Sequence, residues 1–128
     1  MKILLDTHIP LWHSVLDPRL TRKQTKLLED SDSELYISVM SLWEIAILHE
    51  KKRITLSPDP HEWCRTMLIK LRVQPIDLTL PIIKASRELD FPHQDPVDRF
   101  IGATAFTQNM HLMTADERLS ALPWLKCI

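Results

Sequence analysis

Glycine is almost missing: Gly102 is the only one in 128 residues. A glycine-rich loop that cradles phosphates with backbone amides is therefore excluded. Cysteine is scarce as well. Cys64 and Cys127 stand far apart, with no Cys-x-x-Cys pair and no Cys/His zinc spacing. They read as two buried thiols in a reducing compartment. The six histidines contain no His-Glu-x-x-His pair. A positive excess is lacking too: 16 Lys and Arg face 17 Asp and Glu, for a formal net charge of -1. Bulk charge is therefore not what holds any nucleic acid, and such binding must use local basic patches around an acidic centre or be weak without help. No apolar run approaches the roughly 18 residues of a membrane span. The apolar start Met1-Lys2-Ile3-Leu4-Leu5 is cut by Asp6 and is too short for a signal peptide. A cytoplasmic protein with no membrane partner is expected.

What is present is ordinary globular material, 45% hydrophobic and 26% charged. It suits one domain over residues 1–128 with one core. No repeat, linker or low-complexity segment interrupts it. The run ending at Leu5 predicts a buried strand. Ile9, Trp12, Val15 and Leu16 have helical spacing, with Pro10 in the first turn. Thr21 caps a second helix through Asp30. A strand over 35–39 precedes a helix opened by Ser41 and running over 42–52. Asp59 caps a helix that begins at Pro60 and ends near Leu71. A short strand is expected over 73–76, then a helix over 80–89 behind Thr79. Asp95 and Pro96 open an almost wholly apolar helix to Gln108, in which Gly102 allows close approach of a neighbour. A fourth strand is expected over 111–114 and a final one over 124–128. Connections longer than about a dozen residues favour parallel pairing with right-handed crossovers. The expected fold is α/β, a three-layer α/β/α domain around a parallel sheet of four to five strands.

Four acids occupy matching places in this plan. Asp6 ends the first strand and Asp116 follows the fourth. Glu44 is expected in the first turn after Ser41, and Asp98 in the first turn after Pro96. Ligands in open parallel sheets gather at the carboxyl ends of strands, so all four can reach one crevice. Each acid alone also has a structural reading. Ser41-x-x-Glu44 fits a capping box. Asp95 and Asp98 suit a helix start. Asp6 suits a turn, and Asp116 a cap. The set points further. Crowded carboxylates in a half-buried crevice repel one another and lose hydration. A hard divalent cation, Mg²⁺ or Mn²⁺, removes that conflict and leaves room for phosphate oxygens. Such a site supports hydrolysis of phosphodiesters without a covalent nucleophile.

Four segments carry a family resemblance. Ile3-Leu4-Leu5-Asp6-Thr7-His8 resembles the opening strand of the PIN-domain superfamily. Ser38-Val39-Met40-Ser41-Leu42-Trp43-Glu44-Ile45 resembles its second motif. Asp95-Pro96-Val97-Asp98-Arg99-Phe100-Ile101-Gly102-Ala103 resembles the third, and Leu112-Met113-Thr114-Ala115-Asp116 the fourth. The segment His93-x-Asp95-Pro96-x-Asp98-Arg99 is most similar to VapC-type toxins of toxin–antitoxin pairs. The resemblance implies a PIN fold and Mg²⁺- or Mn²⁺-dependent endoribonuclease activity. It implies metal ligands at Asp6, Glu44, Asp98 and Asp116, with Asp95 matching a position used in a subgroup. It implies supporting hydroxyls at Thr7 and Thr114. It also implies a homodimer and an antitoxin partner whose tail enters the active-site groove.

Among the basic residues near these motifs, Arg99 beside Asp98 is the preferred contact for RNA or antitoxin, ahead of Arg118. Trp12 is the tryptophan expected at a partner surface. Two rival readings remain. One is an inactive PIN-like module that only binds protein, which would have no use for all four acids. The other is a phospho-acceptor domain, which needs an acidic neighbour for Asp6 that the sequence lacks.

Overall fold

In the computed structural model, residues 1–92 and 94–128 are described; His93 lies outside the described residues. The chain begins with β1 (Lys2–Leu5), α1 (His8–Ser14) and α2 (Arg22–Glu29). Then come β2 (Glu34–Ser38), α3 (Val39–Glu50), α4 (Pro60–Lys70) and β3 (Val73–Ile76). The remainder is α5 (Leu80–Glu88), α6 (Pro96–Thr107), β4 (His111–Met113) and α7 (Glu117–Ser120).

The four strands form one parallel sheet in the order β3-β2-β1-β4. The chain runs outward from β1 through β2 to β3, then returns to place β4 on the other side of β1. The order in which strands are added therefore reverses between β1 and β4, where a crevice opens beyond the strand ends. β1 is central, and Ile3, Leu4 and Leu5 are wholly buried. Full burial of each contributes about 1.5–3 kcal/mol.

Side-chain alternation sorts the core. Ile3, Leu5, Leu35, Ile37 and Met113 face one side with Ile9, Leu28 and Met67 of α1, α2 and α4. Leu4 and Leu112 face the other with Val97, Ile101 and Ala105 of α6 and Leu119 of α7. Helices thus cover both faces, the expected three-layer arrangement. The α3 helix leaves the end of β2 directly and touches both α4 and α6. That position brings its outer face to the crevice.

Two expectations change. The final strand shrinks to a single bridge, Leu112 with Cys127. Leu112 donates to the Lys126 carbonyl at 2.7 Å and accepts from the Ile128 amide at 2.9 Å, and the Thr114 amide donates to the Ile128 carbonyl at 3.3 Å. And α3 starts three residues earlier than expected: Ser38, not Ser41, is its N-cap and accepts from the Met40 amide. Glu44 therefore lies in the second turn and closes no capping box with Ser41. The box forms instead at α2, where Thr21 accepts from the Gln24 amide and Gln24 from the Thr21 amide, each at 3.1 Å.

The shortage of glycine marks the helix ends. Leu16, Lys52, Arg72 and Asn109 follow α1, α3, α4 and α6 with φ of 54°, 59°, 54° and 54°. Glycine usually fills this left-handed position. Gly102 serves packing instead: a Cβ there would lie 2.7 Å from the Phe91 ring.

Candidate metal centre

Asp6 leaves the end of β1, where its amide still donates to the Met113 carbonyl of β4 at 3.0 Å. Its two carboxylate oxygens are both engaged. Oδ1 accepts from the Thr7 amide at 2.8 Å, and Oδ2 from the Thr114 hydroxyl at 2.6 Å. The same Thr114 oxygen accepts from the Asp116 amide at 3.0 Å. One buried hydroxyl thus sets the spacing between the acids that follow β1 and β4. Thr7 is buried too, with its hydroxyl 3.1 Å from that of Ser41, one turn before Glu44 on α3.

Asp95 caps α6 by accepting from the Val97 and Asp98 amides at 3.0 and 3.4 Å. Its capping role is therefore real, and it also faces the site. Asp98, in the first turn of α6, does the same. Asp116 caps α7, accepting from the Arg118 amide at 2.8 Å. Asp6, Glu44, Asp95, Asp98 and Asp116 line one crevice of about 330 Å³, with His8, Ile9, Trp12, Ala115 and Arg118. It sits at the β1/β4 reversal. A larger groove of about 640 Å³ adjoins it, sharing His8 and Trp12. Trp12 is half-buried there beneath the Arg19 guanidinium, 4.5 Å from the ring centroid.

The electrostatics follow the crowding. Burial, then the charges of Asp6, Asp95, Asp116 and Glu44, push the Asp98 carboxyl up to about 7. Burial also raises Asp6, against the bonds from Thr114 and Thr7. Glu44 is raised by burial, opposed by a hydrogen bond from Thr7 and reinforced by Asp95 and Asp6. Asp116 differs. Burial pushes it up, but the Arg118 side chain and amide together outweigh that and leave it below the ordinary value.

These groups fit a hard divalent cation. The donors are carboxylate oxygens, and burial followed by mutual repulsion raises Asp6, Glu44 and Asp98 above the usual carboxylate range, a conflict that a cation relieves. Among the described residues no three His, Cys, Asp or Glu side chains form a ready-made ligand cluster. Mg²⁺ does not require one, because it is commonly held by one or two carboxylates and completes its shell with water.

The structure corrects the expectation for Arg99. It is only 8% exposed, its Nε donates to the Ser86 carbonyl of α5 at 2.9 Å, and its guanidinium lies 4.8 Å from the Phe91 ring centroid. Adjacent helical residues point about 100° apart, so Arg99 faces α5 while Asp98 faces the crevice. Two supporting residues were missed. Ser41 reads in the sequence as a helix cap and as part of the second motif, and neither reading shows its contact with Thr7. Gln24 is buried and donates to the carbonyls of Thr114 and Ile128 at 3.4 and 3.1 Å. Its only signal is the Thr21-x-x-Gln24 spacing, which does not reveal the second role. Asp77, which a phospho-acceptor reading would need as its acceptor, follows edge strand β3 and does not line the crevice.

Comparison with known proteins agrees with this architecture. Residues 3–125 match the PIN domain family. Ribonuclease VapC22 of Mycobacterium tuberculosis is 32% identical over 117 residues, covering 91% of this chain and 88% of that protein. The chain belongs to the PIN domain family. Among solved structures, VapBC2 from Rickettsia felis bound to a promoter DNA fragment superposes with a TM-score of 0.72 at 20% identity, over 100% of this chain and 98% of that one. VapBC-1 from nontypeable Haemophilus influenzae gives 0.68 at 18%, over 100% and 97%. At these identities the likeness establishes the fold. Among the described residues no helix is long and apolar enough to cross a membrane.

Proposed function

We propose that this protein is an endoribonuclease, the toxin of a toxin–antitoxin pair, that hydrolyses RNA phosphodiester bonds with Mg²⁺ or Mn²⁺. Asp6, Glu44, Asp98 and Asp116 would hold the cation, with Asp95 at the rim. The observation that carries the reading is the single crevice in which these acids meet, with Asp98 pushed up to about 7 by burial and then by the surrounding acids. A bound divalent cation supplies positive charge to the phosphodiester and acidifies a water. The protein's own part is placement. Thr114 and the Thr7 amide fix both oxygens of Asp6, and Thr7 and Ser41 brace the Glu44 side of the site. Asp98, pushed up to about 7, would hold the cation in its deprotonated form, so cation binding would favour loss of its proton.

The similarity to Ribonuclease VapC22 and to VapBC complexes supports RNA as substrate and a cognate antitoxin as partner. A homodimer and a cytoplasmic location belong to the same reading. An unpaired RNA segment suits a crevice beyond the strand ends better than a duplex does. The test is cleavage of total cellular RNA by purified protein in Mg²⁺ or Mn²⁺, in EDTA, and by Asp6→Asn and Asp98→Asn. Cutting is expected from wild type with metal alone. Equal cutting by the variants would remove the reading.

A further inference from the structure

We propose that Arg118 is the residue that binds the substrate phosphate at the metal centre. This rests on the ribonuclease reading above. The crevice is lined by Asp6, Glu44, Asp95, Asp98 and Asp116, a wall that repels RNA. Among the described residues that line it, Arg118 is the only lysine or arginine. The other arginines nearby are committed elsewhere. Arg99 is buried against Phe91 and Ser86. Arg19 forks onto Asp17 at 2.8 and 3.1 Å. Arg53 lines the adjoining groove, not this crevice.

Arg118 is held at the mouth of the crevice by the backbone. It sits in the first turn of α7, two residues after Asp116, and its guanidinium reaches back to Asp116 Oδ2 at 3.4 Å. That bond is long, and the side chain remains 61% exposed. A guanidinium presents five donors, so most remain available for a planar, charge-assisted bond to phosphate oxygens. In the RNA-free protein Arg118 partly neutralises Asp116. A cation held by Asp116 would take over that role and leave the guanidinium free for a phosphate at the crevice. The same side chain thus balances Asp116 and is placed to recruit the substrate.

The test compares wild type, Arg118→Ala and Arg118→Lys in two titrations. The first is anisotropy with a labelled single-stranded RNA oligonucleotide in Ca²⁺ over a range of salt, intactness being checked on a gel. The second is calorimetry with Mn²⁺ and no RNA. Arg118→Ala is expected to bind RNA about tenfold more weakly, with a salt slope smaller by about one. Its Mn²⁺ affinity should be equal or higher, because a competitor for Asp116 is gone. Arg118→Lys should restore the salt slope but only part of the affinity, since lysine lacks the planar fork. An Arg118→Ala protein that binds RNA as wild type does would overturn the proposal, as would parallel losses of Mn²⁺ and RNA, which mean that Arg118 merely positions Asp116. Wild type that neither binds nor cuts RNA would defeat the ribonuclease reading itself; wild type that cuts, with a variant that matches it, defeats only the role of Arg118.

Discussion

Thr114 donates its hydroxyl hydrogen to Asp6 Oδ2 at 2.6 Å, joining residues 108 positions apart in the chain. The same oxygen receives the Asp116 amide, so this contact ties β1 to the loop after β4. Thr114→Val keeps the shape and removes both bonds. It leaves a buried carboxylate oxygen and an amide without their partner, a cost of about 1–3 kcal/mol in unfolding free energy by urea denaturation. Partners that orient metal ligands typically matter by about 10–100-fold in metal affinity. Mn²⁺ binding should weaken by that order, and Thr114→Ser should restore most of it.

Asp98 sets the pH response. Its carboxyl is pushed from 3.8 to about 7, chiefly by burial and then by the surrounding acids. Between those values the folded protein holds a proton that the unfolded chain has released. Its contribution to metal-free stability is therefore full below about pH 4 and is lost as pH rises through about 7. Cation affinity runs the other way, because the proton must leave. Melting curves in EDTA and in Mn²⁺ should separate more widely at about pH 7.5 than at about pH 5.5. Asp98→Asn should flatten the EDTA curve's dependence on pH over this range, and an unchanged dependence would contradict the assignment.

Arg99 gives a prediction of the opposite kind. Its guanidinium bonds the Ser86 carbonyl and stacks on Phe91. Arg99→Ala should destabilise the fold by about 1–3 kcal/mol through lost packing and an unpaired carbonyl. RNA affinity per folded molecule should stay within twofold of wild type. Binding titrations at a temperature where both proteins are folded separate the two effects.

Lys52 tests the helix ends. It is exposed and does not line the crevice, and its φ of 59° is one that glycine adopts without strain. Lys52→Gly should stabilise the protein by about 1 kcal/mol, read as a higher denaturation midpoint with no change in metal affinity.

Most of the site was legible because strand ends and helix starts carry local signals. Asp6 stops an apolar run, Asp95-Pro96 opens a helix, and Asp116 follows a short strand. The α3 start was not legible in the same way, because Ser38 and Ser41 are both competent caps. Ser38 prevails since β2 delivers it in extended conformation, with φ -68° and ψ 141°. Ser41 is then free to face Thr7. Arg99 and Arg118 lie where they do for a related reason. Nearness in sequence placed Arg99 beside Asp98, but the helical turn aims it at α5, while the loop-to-helix turn at Asp116 folds Arg118 back over the crevice. The last strand was overcalled because Trp124 and Leu125 face the α6 core rather than extending the sheet. Gln24 shows the limit of local reading: its contacts to Thr114 and Ile128 exist only after the fold closes.

Calorimetric titration of Mn²⁺ at about pH 7.5 tests most directly whether these carboxylates share a cation. Wild type is expected to bind, and Asp6→Asn and Asp98→Asn, each shown to be folded by circular dichroism, to bind at least about tenfold more weakly. Folded variants that take up Mn²⁺ with wild-type affinity, or a wild-type protein that takes up none, would contradict the account.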